Sequence, residues 1–232
     1  MGSISTGSKC IDEVLGGGIS SDSIILIYGE PETGKTTLTM QCAMNCALQN
    51  LKVLFVDTEN TFSAKRLSQL CPGSFDLVAE QIILVKPKDF KEQAALIDRI
   101  QDYTARNFGL IIIDTLTSLY GAEVAERSGK AFNVNRELNR QLALLAQATK
   151  TRRIPVVVTS QVRSVFDTPN PTVAPVANRV LKFWADVAID LKPTEFPQTM
   201  QVVIEKSGAN QTETTCHVQI LESGIQDTNF PK

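Results

Sequence analysis

Residues 29–37 read Gly-Glu-Pro-Glu-Thr-Gly-Lys-Thr-Thr, and this G-x-x-x-x-G-K-[ST] loop constrains the fold more than any other segment. The apolar residues 24–28 before it predict a buried strand, and residues 36–48 after it predict a helix because they contain no glycine or proline. A strand–loop–helix unit of this kind points backbone N–H groups and a helix N-terminus at one place, where they can hold a polyphosphate. The sequence therefore predicts nucleotide binding.

Two side chains of the loop have predicted roles of their own. We expect Lys35 to reach the terminal phosphates and the Thr36 hydroxyl to bind Mg²⁺. The other candidate contacts to the nucleotide are Gly29, Glu32, Thr33, Gly34 and Thr37. The alternative is a glycine-rich turn that matches the motif by chance, which the flanking strand and helix disfavour.

Predicted strands and helices alternate along most of the chain. Such alternation indicates right-handed βαβ units and a parallel sheet that is covered on both faces. Beyond residue 185, strands separated by turns predict an antiparallel extension at one edge of the sheet. The predicted helices are 4–15, 36–48, 63–70, 89–106 and 135–149, and the predicted strands are 24–28, 52–57, 82–85, 110–114, 156–158, 186–191, 200–205 and 215–221.

Composition limits the class of protein. A chain of 232 residues and 25.4 kDa is long enough for one α/β domain, and we expect residues 1–232 to form it. Its apolar runs are far shorter than the about 20 residues of a membrane span. Five cysteines at scattered spacings, with no secretory signal before them, predict reduced thiols in a cytoplasmic protein. The net charge of −2 means that any nucleic acid would have to be bound by a local basic patch.

Polar residues follow three of the predicted strands. Asp114 ends an aliphatic strand, where its carboxylate would support hydrated Mg²⁺, and Glu59 follows the second strand, where it would orient a water molecule. Gln161 follows the fifth strand and would hydrogen-bond the γ-phosphate. Carboxyl ends of parallel strands share one edge of a sheet, so these side chains are expected beside the loop. Ordinary turn, capping and strand-end roles remain open as alternatives.

Several segments together resemble the ATPase core of the RecA/RadA recombinases, and among these the short archaeal RadB paralogues. The resemblance covers nearly the whole chain. The segments that carry it are 4–7, 15–19, 29–36, the Asp-Thr-Glu-x-Thr-Phe motif at 57–62 with the Arg-Leu pair at 66–67, the strand that ends in Asp114, and 160–162.

The resemblance implies a RecA-like P-loop NTPase core that binds ATP and Mg²⁺, without the N-terminal helical DNA-binding domain of recombinases. It assigns Glu59 as the catalytic glutamate, Asp114 as the Walker B aspartate and Gln161 as the γ-phosphate sensor. It also assigns Arg66 to stacking on adenine, for which a solvated helix arginine is the alternative.

Two segments correspond to the loops with which recombinases bind DNA, namely 120–135 and 163–182. Both are longer than a compact domain needs, and basic side chains beside aromatic ones suit single-stranded DNA. The candidate contacts are Arg127 and Lys130 in the first segment, and Arg163, Arg179 and Lys182 in the second.

These observations predict a DNA-binding ATPase of low activity that assists homologous recombination and repair. Its expected partners are single-stranded DNA and a RadA-like recombinase or another repair protein, and it is a candidate homo-oligomer. One alternative is a KaiC-like regulatory ATPase, which the motif at 57–62 disfavours because KaiC relatives usually carry paired glutamates there. The other alternative is a nucleotide-gated protein-interaction module.

Overall fold

The computed structural model describes residues 2–103, 107–126, 129, 131–165, 172–206 and 213–228, and within them a nine-stranded sheet forms the centre of the fold. A separate two-stranded ribbon consists of β6 and β7. In chain order the strands are β1 (Ile24–Gly29), β2 (Lys52–Asp57), β3 (Ile82–Val85), β4 (Phe108–Asp114), β5 (Val156–Ser160), β6 (Val162–Val165), β7 (Thr172–Pro175), β8 (Val187–Pro193), β9 (Thr199–Lys206), β10 (Glu213–Leu221) and β11 (Gly224–Asp227).

The strand order of the large sheet is β11-β10-β9-β8-β1-β5-β4-β2-β3. The pairs from β8 across to β3 are all parallel, and the pairs from β8 out to β11 are all antiparallel. β1 lies between β5 and β8, with Leu26 opposite both Val158 and Ala188. The strand that leads into the phosphate loop is therefore fully enclosed within the sheet.

Helices connect the strands and cover both faces of the sheet. Several begin at a capping side chain, since Ser8, Ser63 and Asp89 each accept a hydrogen bond from a backbone N–H three residues later. The helices are α1 (Lys9–Leu15), α2 (Lys35–Ala47), α3 (Ala64–Leu70), α4 (Phe75–Gln81), α5 (Phe90–Asp98), α6 (Ile100–Tyr103), α7 (Ser118–Glu126), α8 (Ala131–Arg152) and α9 (Asn178–Trp184).

Alternate residues of each central strand enter two separate hydrophobic cores. Ile25 and Ile27 of β1 pack with α1 and α2 on one face, whereas Leu26 and Tyr28 pack with α5, α8 and α9 on the other. All six residues of β1 are buried, as expected for a parallel sheet with helices on both faces.

The predicted alternation of strands and helices is confirmed, and the differences are local. Outside the two candidate DNA-binding segments, two short elements, α4 and β11, are absent from the sequence prediction, the helix predicted over 4–15 begins only at Lys9, and the helix predicted over 89–106 ends at Asp98 and restarts as α6. Both missed elements have only four to seven residues, too few for a periodic pattern to be visible.

The loop prediction for the two candidate DNA-binding segments is largely wrong. Residues 118–126 form α7, and α8 begins at Ala131, so most of the first segment is helical. The second segment forms the β6–β7 ribbon and then α9, which carries Arg179 and Lys182. Arg127 and Lys130 lie outside the described residues.

The cysteine prediction is also wrong in part. Cys10 of α1 and Cys216 of β10 form a disulfide, while Cys42, Cys46 and Cys71 are free and buried. The two bridged residues are 206 positions apart in sequence, and nothing in their spacing indicates the pairing. Among the described residues there is no helix long and apolar enough to cross a membrane.

The disulfide leads to a prediction about thiol content. Protein unfolded without reductant should expose three titratable thiols to Ellman's reagent, and all five after reduction. Because a cross-link restricts the unfolded chain, Cys10→Ser should lower the free energy of unfolding by about 2–4 kcal/mol under oxidising conditions and release a fourth thiol. Five thiols in the unreduced protein would contradict the pairing.

Candidate nucleotide-binding site

The phosphate loop has a backbone that only glycine can adopt at two positions. Gly34 is the N-cap of α2 and has a φ angle of 90°. A Cβ atom there would lie 2.8 Å from Cδ1 of Ile220. A Cβ atom at Gly29 would overlap the carbonyl oxygen of Leu191 in β8 and lie 2.9 Å from the Thr33 hydroxyl. The two glycines of the motif therefore bring the loop into close contact with the antiparallel part of the sheet.

Lys35 lies at the floor of the loop and is largely buried. Its Nζ atom donates hydrogen bonds to the carbonyl oxygens of Gly29 (2.9 Å) and Glu30 (2.6 Å). Burial lowers the pKa of Lys35, and the nearby carboxylates of Asp114, Glu59 and Glu30 oppose that shift. A buried ammonium group surrounded by carbonyl dipoles and carboxylates is well suited to bind phosphate oxygens.

Asp114 is buried at the end of β4, and the peptide bond that follows it is cis. Oδ1 of Asp114 accepts a hydrogen bond from the Thr159 hydroxyl of β5. Oδ2 is buried and has no hydrogen-bond partner among the described residues. Burial raises the pKa of Asp114, whereas the Thr159 and Thr36 hydroxyls act to lower it.

The unpartnered oxygen of Asp114 allows a test of whether the site fits a metal ion. Carboxylate, hydroxyl and water oxygens are the ligands that Mg²⁺ prefers. Asp114 and the Thr36 hydroxyl supply such oxygens beside Lys35, and all three residues line one cavity of about 330 Å³. The residues present therefore fit a hydrated Mg²⁺ ion.

Glu59 and Gln161 line the same cavity as the residues of the phosphate loop. The Gln161 side-chain amide donates a hydrogen bond to Oε1 of Glu59, which joins the ends of β2 and β5. The backbone carbonyl of Gln161 also accepts a hydrogen bond from the Val176 N–H, 2.9 Å away, at the end of the β6–β7 ribbon. The structure thus brings together Lys35, Thr36, Glu59, Asp114 and Gln161, as the sequence predicts.

The other loop residues surround the same cavity or brace the loop. Glu32, Gly34 and Thr37 line the cavity, whereas Thr33 is buried and its hydroxyl donates to the Glu30 carbonyl (2.8 Å). Thr33 therefore braces the loop from within. Its predicted contact to the nucleotide, like those of the other residues, stays a prediction.

Arg66 has a role in the structure that the sequence does not indicate. Its guanidinium donates to the carbonyl oxygens of Leu221 (2.7 Å) and Glu222 (2.8 Å) in the turn between β10 and β11. That turn follows Ile220, which lines the nucleotide cavity and packs on Gly34. Arg66 therefore fixes one wall of the cavity, and its stacking on adenine stays a prediction.

The sequence does not indicate the residues whose hydrogen bonds join the elements around this site. Thr58 bonds the carbonyl oxygen (2.7 Å) and the N–H (3.0 Å) of Thr115, which locks the ends of β2 and β4 together. The Gln41 amide bonds both backbone groups of Ile225, which ties α2 to β11. Neither contact has a sequence signal, since threonine at a strand end and glutamine in a helix are ordinary residues.

The remaining candidate DNA contacts differ in exposure and in ion pairing. Arg163 of β6 and Arg179 of α9 are exposed. Lys182 forms a 2.6 Å ion pair with Glu205 of β9, and its ammonium lies 5.5 Å from the centre of the Tyr28 ring. Lys182 therefore stabilises the packing of α9 on the sheet, and the two arginines are the better candidates for contact with a polyanion.

Comparison with known proteins places this geometry in a family. The Rad51 family model matches residues 1–228. The chain belongs to the Rad51 family. The predicted RecA-like ATPase core, with its C-terminal antiparallel strands, is thereby confirmed.

Individual members of the Rad51 family are similar over nearly their full length. The DNA repair and recombination proteins RadB of Thermococcus kodakarensis and Thermococcus onnurineus are 34% and 33% identical to this chain; each match covers 97% of it, and 99% and 97% of the relatives. A structure described as "Crystal structure of the RadB recombinase" superposes with a TM-score of 0.82 at 32% identity, over 97% of this chain and 100% of that one. The resemblance to RadB is therefore confirmed.

The variant Asp114→Asn tests two effects of the buried Asp114 carboxylate separately. The first is its cost to the stability of the fold, and the second is its binding of Mg²⁺. The raised pKa means that the ionised carboxylate destabilises the fold; this cost begins as the pH rises above the ordinary value of 3.8 and is fully present once the pH is above the raised pKa of the folded protein. Without Mg²⁺, the variant should unfold about 3 °C higher, corresponding to about 1 kcal/mol. In the presence of nucleotide, the variant should also lose the additional rise in unfolding temperature that Mg²⁺ gives the wild-type protein. Calorimetry at pH 7 measures both effects, and a lower midpoint without Mg²⁺ would contradict this account.

Proposed function

We propose that this chain is a RadB-type protein that binds ATP and Mg²⁺, hydrolyses ATP slowly and contacts single-stranded DNA in recombinational repair. One observation carries the proposal, namely that Lys35, Thr36, Glu59, Asp114 and Gln161 surround a single cavity at the carboxyl ends of β1, β2, β4 and β5. In P-loop ATPases, positioning and charge neutralisation supply almost all of the catalysis. Each of the five side chains fits one of those tasks.

The phosphate-binding part of the site acts by neutralising the negative charge of the phosphates. Lys35 binds phosphate oxygens, and Thr36 and Asp114 hold the hydrated metal ion, which supplies charge neutralisation on the phosphates when it is bound. Ile220 and the turn held by Arg66 form the wall of the cavity on the side of the antiparallel strands. These groups are buried or braced by hydrogen bonds, so little reorganisation is needed when the nucleotide binds.

The hydrolytic part of the site is the Glu59–Gln161 pair. Glu59 orients a water molecule towards the γ-phosphate, and Gln161 is placed to hydrogen-bond that phosphate. In the structure the Gln161 amide is bound to the Glu59 carboxylate. If Gln161 turns from Glu59 to the γ-phosphate, the carboxylate oxygen of Glu59 becomes free for water. Slow turnover follows if this exchange occurs in only a fraction of the nucleotide-bound molecules.

Glu59→Gln tests the hydrolytic assignment. The variant should bind ATP as the wild type does, because the hydrogen bond of the Glu59 side chain is to Gln161 and not to the phosphate loop, and its turnover should fall about a hundredfold. Steady-state phosphate release and nucleotide affinity are the two measurements. The matched control is Glu80→Gln on α4, an exposed glutamate outside the cavity, which should leave both unchanged. Unchanged turnover in Glu59→Gln would remove Glu59 from the mechanism.

The DNA-binding part of the proposal makes a separate prediction. At low salt a labelled single-stranded oligonucleotide should be retained by the wild-type protein, and its affinity should fall steeply as salt is added because phosphate contacts release counterions. Fluorescence anisotropy measures this. Absence of retention in 50 mM salt, with and without ATP, would leave a nucleotide-binding protein without a DNA function. A RadA-like recombinase partner, self-association and a cytoplasmic location stay predictions.

A further inference from the structure

Residues 57–62 form the turn that carries Glu59, and this turn closes over the carboxylate of Asp57 at the end of β2. Oδ1 of Asp57 accepts a hydrogen bond from the Thr61 N–H (3.0 Å), and Oδ2 accepts one from the Phe62 N–H (3.1 Å). Bonds of this kind between an aspartate side chain and the backbone hold a short turn in one conformation. The Asp57 carboxylate therefore fixes the distance between the two ends of the turn.

Both ends of this turn are also anchored to the sheet. The Thr58 N–H donates a hydrogen bond to the carbonyl oxygen of Asp114 in β4 (3.0 Å). The Phe62 ring packs edge-on against Phe55 of β2, with 5.0 Å between the ring centres. Glu59 lies one residue beyond Thr58 and lines the nucleotide cavity. The path of the chain across the turn therefore determines where the Glu59 side chain enters that cavity.

Lys86, the residue that follows β3, supplies the counter-ion of Asp57. β3 pairs in parallel with β2, with Val85 opposite Val56, so that the next residue of each strand reaches the same edge of the sheet. Nζ of Lys86 lies 3.4 Å from Oδ2 of Asp57, whose side chain is fully buried. This is the only ion pair of Asp57 among the residues that the structure describes. Because an unpaired buried charge is costly, Lys86 stabilises the carboxylate that holds the turn.

We propose that Asp57, with Lys86 as its counter-ion, is a positioning residue for ATP hydrolysis, because it sets where Glu59 holds the attacking water. The inference rests on the hydrolytic part of the proposed function and adds to it the means by which Glu59 is oriented. A misplacement of a catalytic group by about 1 Å can lower a rate about a hundredfold. The phosphate loop is held by separate bonds of Thr33 and Lys35, so the loss should appear in kcat and not in ATP binding.

The variant Asp57→Asn, made in the full chain, tests this role. The amide keeps one acceptor oxygen but cannot accept hydrogen bonds from the Thr61 and Phe62 N–H groups with separate oxygens. The kcat should fall about tenfold, while KM and the affinity for ATP should stay within about twofold of the wild type. Wild-type kcat in this variant would show that Asp57 does not position Glu59.

A double-mutant cycle separates positioning from a general structural role. The same substitution is made in Glu59→Gln, and hydrolysis is measured in single turnovers with excess protein. If Asp57 acts through Glu59, the double variant should hydrolyse ATP at the rate of Glu59→Gln alone, since nothing remains to be positioned. A merely structural role would lower the rate by the same factor in both backgrounds, and that result would overturn the proposal.

Variants of Lys86 keep the proposal testable if Asp57→Asn does not fold. Lys86→Met keeps the length of the side chain but removes its charge, so kcat should fall about threefold with KM unchanged. Lys86→Arg restores the charge and should restore kcat. The matched control is Lys88→Met, at an exposed lysine two residues further along, which should behave like the wild type. Equal rates for Lys86→Met and Lys88→Met would contradict the proposal.

The inference and the proposed function fail in different ways. If Glu59→Gln hydrolyses ATP at the wild-type rate, the assignment of Glu59 fails and its positioning by Asp57 fails with it. If Glu59→Gln is slow while Asp57→Asn turns over like the wild type, Glu59 keeps its role and only the positioning role of Asp57 is wrong.

Discussion

Burial of the parallel sheet on both faces is the constraint on which the rest of this structure depends. Helices cover each face, so the central strands carry apolar residues throughout their length, and all seven residues of β4 are buried. In the central strands β2 and β4, charged side chains accordingly lie at the strand ends. Because the parallel strands point the same way, Glu59, Asp114 and Gln161 arrive at one edge beside Lys35. The chemistry of the site is thus a consequence of how the core excludes polar groups.

The parts of the fold that could be predicted from sequence are those with local signals. Aliphatic runs identify most of the strands of the large sheet, and a serine or aspartate cap marks where α3 and α5 begin. The loop motif together with polar strand ends was sufficient to predict that Lys35, Thr36, Glu59, Asp114 and Gln161 lie close together, and all five line one cavity. The wall formed by Ile220 was not predictable, because it is brought there by β10–β11 pairing and by Arg66, 155 residues away from its carbonyl partner at Leu221. Long-range pairing of this kind has no signature in a single sequence.

The prediction of loops at 120–135 and 163–182 was wrong for the described residues that form α7, the start of α8, β6, β7 and α9. These segments were predicted as loops from the resemblance to recombinases, yet α7 packs against α5 and α8, and α9 packs against α8. Trp184 of α9 donates a hydrogen bond to the Asn139 side chain of α8 (2.8 Å), and Lys182 pairs with Glu205. Tertiary contacts therefore impose helical structure where intrinsic preference is weak. These contacts also fix α9, which carries Arg179, against α8 and the sheet.

Gln161 connects the nucleotide cavity to the β6–β7 ribbon. Its side chain donates a hydrogen bond to Glu59 in the nucleotide cavity, while its backbone carbonyl accepts one from the Val176 N–H at the end of the ribbon. A rotation of the Gln161 side chain towards a γ-phosphate would leave the bond to Val176 in place, whereas a shift of the Gln161 backbone would carry the end of the ribbon with it. Only the backbone shift would link nucleotide binding to the position of the ribbon. Any free-energy coupling that results must be reciprocal, so a ligand that holds the ribbon would then change the affinity for the nucleotide by the same factor.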